Sequence, residues 1–220
     1  GKKWTKWTNG FPTVPVKDLV IHPREHDLVI GTFGRAAWVL DDIRPLRALA
    51  KNDTSTKRLA LFVPPTAYHA KYIQPTGSRF GADALYQGEN RRRGAAISYY
   101  INRPVTKKTV TKKKSKKDIK KNVAEKSKVK WDSIKLEIFD GNRLIRTLKQ
   151  KAPKKNGVHK MYWYLREKGV SGPSRRIRNS RREPSGVSVK PGTYRLKMSF
   201  GNEVAEQNIK VEMDPRMSFS

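Results

Sequence analysis

The chain contains no cysteine, so disulfides, thiolate metal sites and cysteine nucleophiles are excluded from its chemistry. Histidine is scarce: His22, His26, His69 and His159. Only His22 and His26 stand four apart, and Pro23 between them denies the pair a shared helical face on which to hold a metal. No apolar run approaches the length of a membrane span, and residue 1 opens no signal peptide. Acids are few, 19 Asp and Glu against 49 Lys and Arg. Asp41 and Asp42 are adjacent and would point to opposite sides of a strand, while Asp18, Glu25 and Asp27 sit at turns. Nothing places two carboxylates on opposed sides of a glycosidic bond, and no Ser/His/Asp constellation has supporting context. The sequence therefore assigns no catalytic, cofactor-binding or metal-binding residue.

What is abundant is positive charge. The net charge is +30 over 220 residues, with 36% hydrophobic residues, enough for a core in one or two domains. The segment Thr106–Lys130 holds twelve lysines against two acids, Asp118 and Glu125. A block of this kind attracts polyanions: nucleic acid, lipopolysaccharide, acidic polysaccharide or an acidic protein. The candidate polyanion-binding residues are Lys107, Lys108, Lys112, Lys113, Lys114, Lys116, Lys117, Lys120 and Lys121, joined by Arg175, Arg176 and Arg178 of a second cluster, whose guanidinium groups suit carboxylate or phosphate. The competing expectation for both is a solvated loop, because the lysine block is too charged to fold alone. It also lacks interleaved aromatics for stacking bases, and no recognition helix is visible for reading a nucleic-acid sequence.

The rest of the chain reads as all-β. In Lys17–Asp42 three short runs, Leu19–Ile21, Leu28–Ile30 and Ala36–Leu40, are separated by turn residues. Their apolar residues are consecutive rather than alternating, the pattern of strands covered on both faces. Gly31 and Gly34 lack the Gly-Lys-[Ser/Thr] ending and the following helix of a phosphate loop, so tight backbone between strands is the expected role. Leu46–Ala50 reads as one helical turn and Leu59–Val63 as a short strand ending at Pro64-Pro65. The scattered aromatics Tyr68, Tyr72, Phe80 and Tyr86 have no period and suit an ordered connection. From Gly94 onward alternation is clear. Ala95–Asn102, Trp131–Asp140, Arg143–Leu148, Val158–Leu165, Thr193–Phe200 and a last strand through Ile209, Val211 and Met213 predict an antiparallel sandwich. Asp140-Gly141-Asn142 is a hairpin turn.

Two resemblances sharpen this reading. The stretch DLVIHPREHDLVIGTFGRAAWVLDDI resembles the last blade of the BNR/Asp-box propellers of the sortilin (VPS10)-like group found in secreted bacterial proteins. Gly1-Lys2-Lys3-Trp4 is similar to the second half of an Asp-box, S-x-D-x-G-x-[ST]-W, with Lys3 at the hydroxyl position. Gly88-Glu89-Asn90 and Gly94-Ala95 resemble the end of the tail that leaves such propellers. The pieces IKLEIFDGNRLIRTL, MYWYL and PGTYRLKM, at Pro191–Met198 for the last, resemble an Ig-like (FlgD-type or fibronectin III-like) module, with Tyr164 at a usually polar position. These resemblances imply residues 1–46 as a terminal blade of a larger propeller, 47–94 as an extended linker, and 95–215 as an Ig-like sandwich interrupted by a Lys-rich loop at 104–130. They also imply a secreted or envelope-associated bacterial protein. Its partners would be the remainder of its own propeller, upstream or on another chain, and a protein, peptide or acidic glycan. The expected function is non-catalytic binding or scaffolding. The alternatives are the end of a glycoside hydrolase whose catalytic residues lie upstream, and polyanion binding through the Lys-rich loop.

Overall fold

The computed structural model describes residues 4, 6–7, 10–51, 56–69, 92–103, 131–173, 175 and 183–215. They fall into two compact units, Gly1–Asn52 and Asp53–Ser220. The described residues are all-β apart from a short helix.

In the first unit, β1 (Val16–Ile21), β2 (Leu28–Thr32) and β3 (Ala37–Leu40) form an antiparallel sheet in chain order. The first turn is closed by the His22 N–H, which donates to the Asp27 carbonyl at 2.9 Å, and by His22 Nδ1, which accepts the Glu25 N–H at 3.1 Å. That ring is a turn element. In the second turn, the Thr32 hydroxyl donates to the Ala36 carbonyl at 2.5 Å. Register decides what each face carries, because directly paired residues point the same way. Leu19, Ile30 and Trp38 are in line across the sheet, as are Ile21, Leu28 and Leu40, and both rows share one face. Val20, Val29 and Val39 line up on the other. Both faces are therefore apolar, in keeping with the unbroken apolar runs of the sequence.

After β3 the chain turns through Asp42, which is buried and takes a left-handed φ of 51°. Its carboxylate accepts the backbone N–H of Arg44 at 3.2 Å and its Nε at 2.6 Å, while its own N–H donates to Asp27 Oδ1 at 2.8 Å. These bonds launch α1 (Arg44–Lys51), whose Pro45 lies in the first turn, where a missing N–H costs nothing.

In the second unit two sheets share one core. The smaller has the order β4 (Leu59–Leu61), β6 (Ala95–Ile101), β9 (Gly157–Trp163), all antiparallel. The larger has the order β5 (Ala67–His69), β13 (Glu203–Met213), β12 (Gly192–Phe200), β7 (Ser133–Asp140), β8 (Arg143–Lys151). Only β5 runs parallel to its neighbour, β13. A ribbon of β10 (Arg166–Lys168) and β11 (Ser185–Ser188) stands apart from both sheets. The expected inward sets are buried: Ile134, Leu136 and Ile138; Met161, Trp163 and Leu165; Tyr194, Leu196, Met198 and Phe200; Ile209 and Val211. Met213, expected to continue the last of these, is 39% exposed at the strand end. Leu165 lies beyond β9 at a left-handed φ of 55°, so a turn and not the strand carries it inward.

The stretch 47–94, read from sequence as a linker, contributes β4 and β5 to this unit, one to each sheet. Strands of three residues show no periodicity of their own. Their place is set by pairing with β6 and with the distant β13. The Lys-rich stretch 104–130 lies outside the described residues.

Two glycines hold the chain against bulky neighbours. At Gly94, φ is 91° and a Cβ would stand 2.4 Å from the Trp163 carbonyl oxygen; at Gly201, φ is 59° and a Cβ would stand 2.6 Å from the Trp131 ring. Gly94→Ala is expected to destabilise the second unit through both strain and clash. Leu196→Ala, at a fully buried site, should cost roughly 2–5 kcal/mol, and Val20→Thr, on the first unit's exposed sheet, under about 1 kcal/mol. Urea denaturation of the three variants checks the order.

Candidate functional site

Of the twelve candidate polyanion-binding residues, only Arg175 is among those described, and it is exposed. Lys107, Lys108, Lys112, Lys113, Lys114, Lys116, Lys117, Lys120, Lys121, Arg176 and Arg178 lie outside them. Among the described residues no group of His, Asp and Glu is arranged to hold a metal ion, and no helix is long and apolar enough to cross a membrane.

The described residues do build a groove beside β8 and β9, each the outer strand of its sheet. It encloses about 690 Å³, within the size range of ligand clefts, about 300–1,000 Å³. Arg92, Lys135, Lys149 and Lys160 bring positive charge to its wall, and Tyr162 and Tyr164 bring aromatic surface. The Arg92 guanidinium lies over the Tyr162 ring, 5.4 Å from its centroid, a contact that holds the cation against the groove wall.

One end of the groove is built around Arg146. It pairs with Ile138, at the position of an inward-facing residue, and a bulge at Ile145 precedes it. Its guanidinium donates to the carbonyls of Glu167 (2.9 Å), Glu183 (2.9 Å) and Pro184 (2.5 Å). This fork ties the β10–β11 ribbon to β8, which a bidentate pair between Arg143 and Glu167 reinforces at 2.8 and 3.1 Å. That pair, through its hydrogen bonds first, raises the Arg143 pKa above its already high ordinary value. The Glu183 carboxylate accepts the backbone N–H of Thr147 at 3.0 Å and lies 4.0 Å from Arg146 Nε and 3.9 Å from Lys168 Nζ. An outward N–H of the β8 edge is thus capped by a carboxylate rather than by another strand.

At the other end Gln150 donates to the Tyr99 hydroxyl at 2.8 Å. Burial pushes the Tyr99 phenol above the ordinary value of 10.0, and the Gln150 bond opposes the shift. Deeper in the core, Tyr194 donates to the Lys190 carbonyl at 2.6 Å, four residues upstream, and Trp163 meets its ring edge-on with centroids 5.5 Å apart. Burial also raises the Tyr194 pKa, helped by the charges of Asp140 and Glu167.

A second concavity of about 630 Å³ lies between β4 and the first half of β13, lined by Lys57, Arg58, Glu203 and Glu206 among others. Its charges are mixed, and they favour no ligand of one sign.

The basic groove draws on β7, β8, β9 and the residues flanking β6 and β11, so no contiguous stretch announces it. A weak signal existed in Arg146. It is a cation at an inward position of an otherwise alternating hairpin strand, and such a charge needs dedicated acceptors. Compared with protein-family models, curated proteins and solved structures, the chain matches none.

Arg146→Ala would leave three carbonyls short of a partner, at about 1–3 kcal/mol for each that stays dry. Arg146→Lys should restore little, since a point charge cannot span three acceptors. Thermal denaturation of both variants checks this. Tyr99 and Tyr194 have folded pKa values raised above the unfolded ones, so the stability they carry is complete below pH 10 and is lost as pH rises through their folded values. A melting temperature that falls above pH 10, and falls less steeply in Tyr99→Phe, is the expected result.

Proposed function

We propose that the chain is a non-catalytic binding and scaffolding portion of a large secreted or envelope-associated bacterial protein. In this reading β1–β3 form the terminal blade of a sortilin-like propeller, and the second unit is an Ig-like module that braces the ring or offers a surface to partners. The observation that carries the reading is the apolar character of both faces of the first sheet. Leu19 is 58% exposed and Val20 53%, although they point to opposite sides, and Val39 is 57% exposed. Apolar surface on both sides of one small sheet is costly in water, and neighbouring blades would cover it from both sides.

The Ig-like reading is supported by strand order and by one hydrogen bond. A three-stranded sheet set against a larger, mainly antiparallel one, with the first strand split between the two as β4 and β5, is the arrangement of many Ig-like domains. A tyrosine near the start of the penultimate strand, bonded to backbone a few residues upstream, is a recurrent corner of such sandwiches. Tyr194 makes that bond.

Carbene footprinting of the native protein purified from its source tests the blade. Leu19, Val20 and Val39 should be protected there, while Val170 and Val187, exposed by 93% and 71%, should label strongly. Equal labelling of all five would refute the blade.

A further inference from the structure

We propose that the groove beside β8 and β9 takes an acidic, extended segment of a partner protein, which adds its backbone to the outer edge of β8. The inference names a site and a partner chemistry for the binding reading above. It stands on different residues, so either can fail alone.

Three observations carry it. The first is the edge itself. β8 has β7 on one side only, and among the described residues no strand pairs with the other side. The Thr147 N–H points outward, since it reaches Glu183. Backbone direction alternates along a strand, so Lys149 and Lys151 turn their N–H and carbonyl groups the same way. Donors and acceptors repeating every second residue match an extended peptide and no other polymer backbone.

The second is the charge over that edge. Both acids of the groove are engaged: Glu137 with Lys135 at 2.9 Å, and Glu183 with Thr147 and the cations near it. Arg92 and Lys149, both exposed, bring further positive charge to the groove. Strand addition supplies register-independent affinity, and the side chains beside the edge supply selectivity. Here they select carboxylates.

The third is that the chain already shows the interaction in miniature. Glu183 seats a carboxylate on the edge N–H of Thr147 beside Arg146 and Lys168. An incoming strand would continue along β8 from that point towards Lys151, in a groove whose wall also carries Tyr164, 61% accessible.

The test uses the whole chain and a fluorescent ten-residue peptide in which Glu alternates with Thr, read by fluorescence anisotropy. Three further probes accompany it: the same peptide N-methylated at every Thr, its Lys-for-Glu counterpart, and a heparin oligosaccharide. The acidic peptide should bind, with N-methylation weakening it by about tenfold or more and the lysine peptide failing. Arg92→Glu and Lys149→Glu, both at exposed sites, should leave the melting temperature in place and weaken the acidic peptide about tenfold together. Equal binding of the N-methylated peptide would overturn strand addition in favour of plain charge attraction. Unchanged binding by the double variant would place the site elsewhere and overturn the groove. Heparin competing for the groove more tightly than the peptide would overturn the peptide as its ligand.

Discussion

A β-sheet has two faces and two edges, and each needs a cover, a partner or water. The second unit meets that demand in several ways at once. Its two sheets turn alternating aliphatic and aromatic residues toward each other, so that Ile97, Ile134, Leu136, Ile138, Leu196, Met198 and Phe200 are wholly withdrawn from water. The polar ends of the large aromatics are satisfied inside the structure, Trp163 by the Arg166 carbonyl and Tyr194 by the Lys190 carbonyl. One edge of the larger sheet takes the short parallel strand β5 along part of its length. The opposite edge is met at Thr147 by a side chain. That last choice turns a structural requirement into a candidate site, because a strand edge held by a carboxylate is an edge matched to carboxylates.

Arg146 shows how one charge can organise a region. A guanidinium at an inward-facing position would be destabilising if it found no acceptors. Instead it collects three carbonyls from two segments and thereby fixes the ribbon that brings Glu183 to the edge. The acidic cap of the groove thus depends on a cation that itself lines the groove.

The first unit meets the same demand differently. Its sheet is regular, its turns are closed by side-chain bonds from His22 and Thr32, and its exit is held by the Asp27–Asp42–Arg44 network. Its local order is therefore well supported. Its faces are another matter: apolar rows on both sides leave Leu19, Val20, Ile21 and Val39 substantially open. The contrast between a finished set of turns and an unfinished set of faces is what favours a companion for this sheet.

Much of the strand content was legible in the residues. Period-two alternation in Trp131–Asp140 and Thr193–Phe200 located β7 and β12 and their buried faces, because a strand half in a core must alternate. Consecutive aliphatics in β2 and β3 announced apolar surface on both sides. The run Leu59–Val63, stopped by Pro64-Pro65, announced β4, but the three residues of β5 carry no such signal, and neither does the split of an approach segment between two sheets. The groove was hidden for the same reason: Arg92, Lys135, Lys149, Lys160 and Tyr162 look like ordinary outward residues of separate strands. By itself the sequence determined the β class, the hairpin turns, the buried rows and the large positive charge, all of which follow from local spacing and composition. Only the tertiary structure decided which strands neighbour one another, which edge carries no further strand among the described residues and which cations gather beside it, because these depend on pairings between residues far apart in the chain.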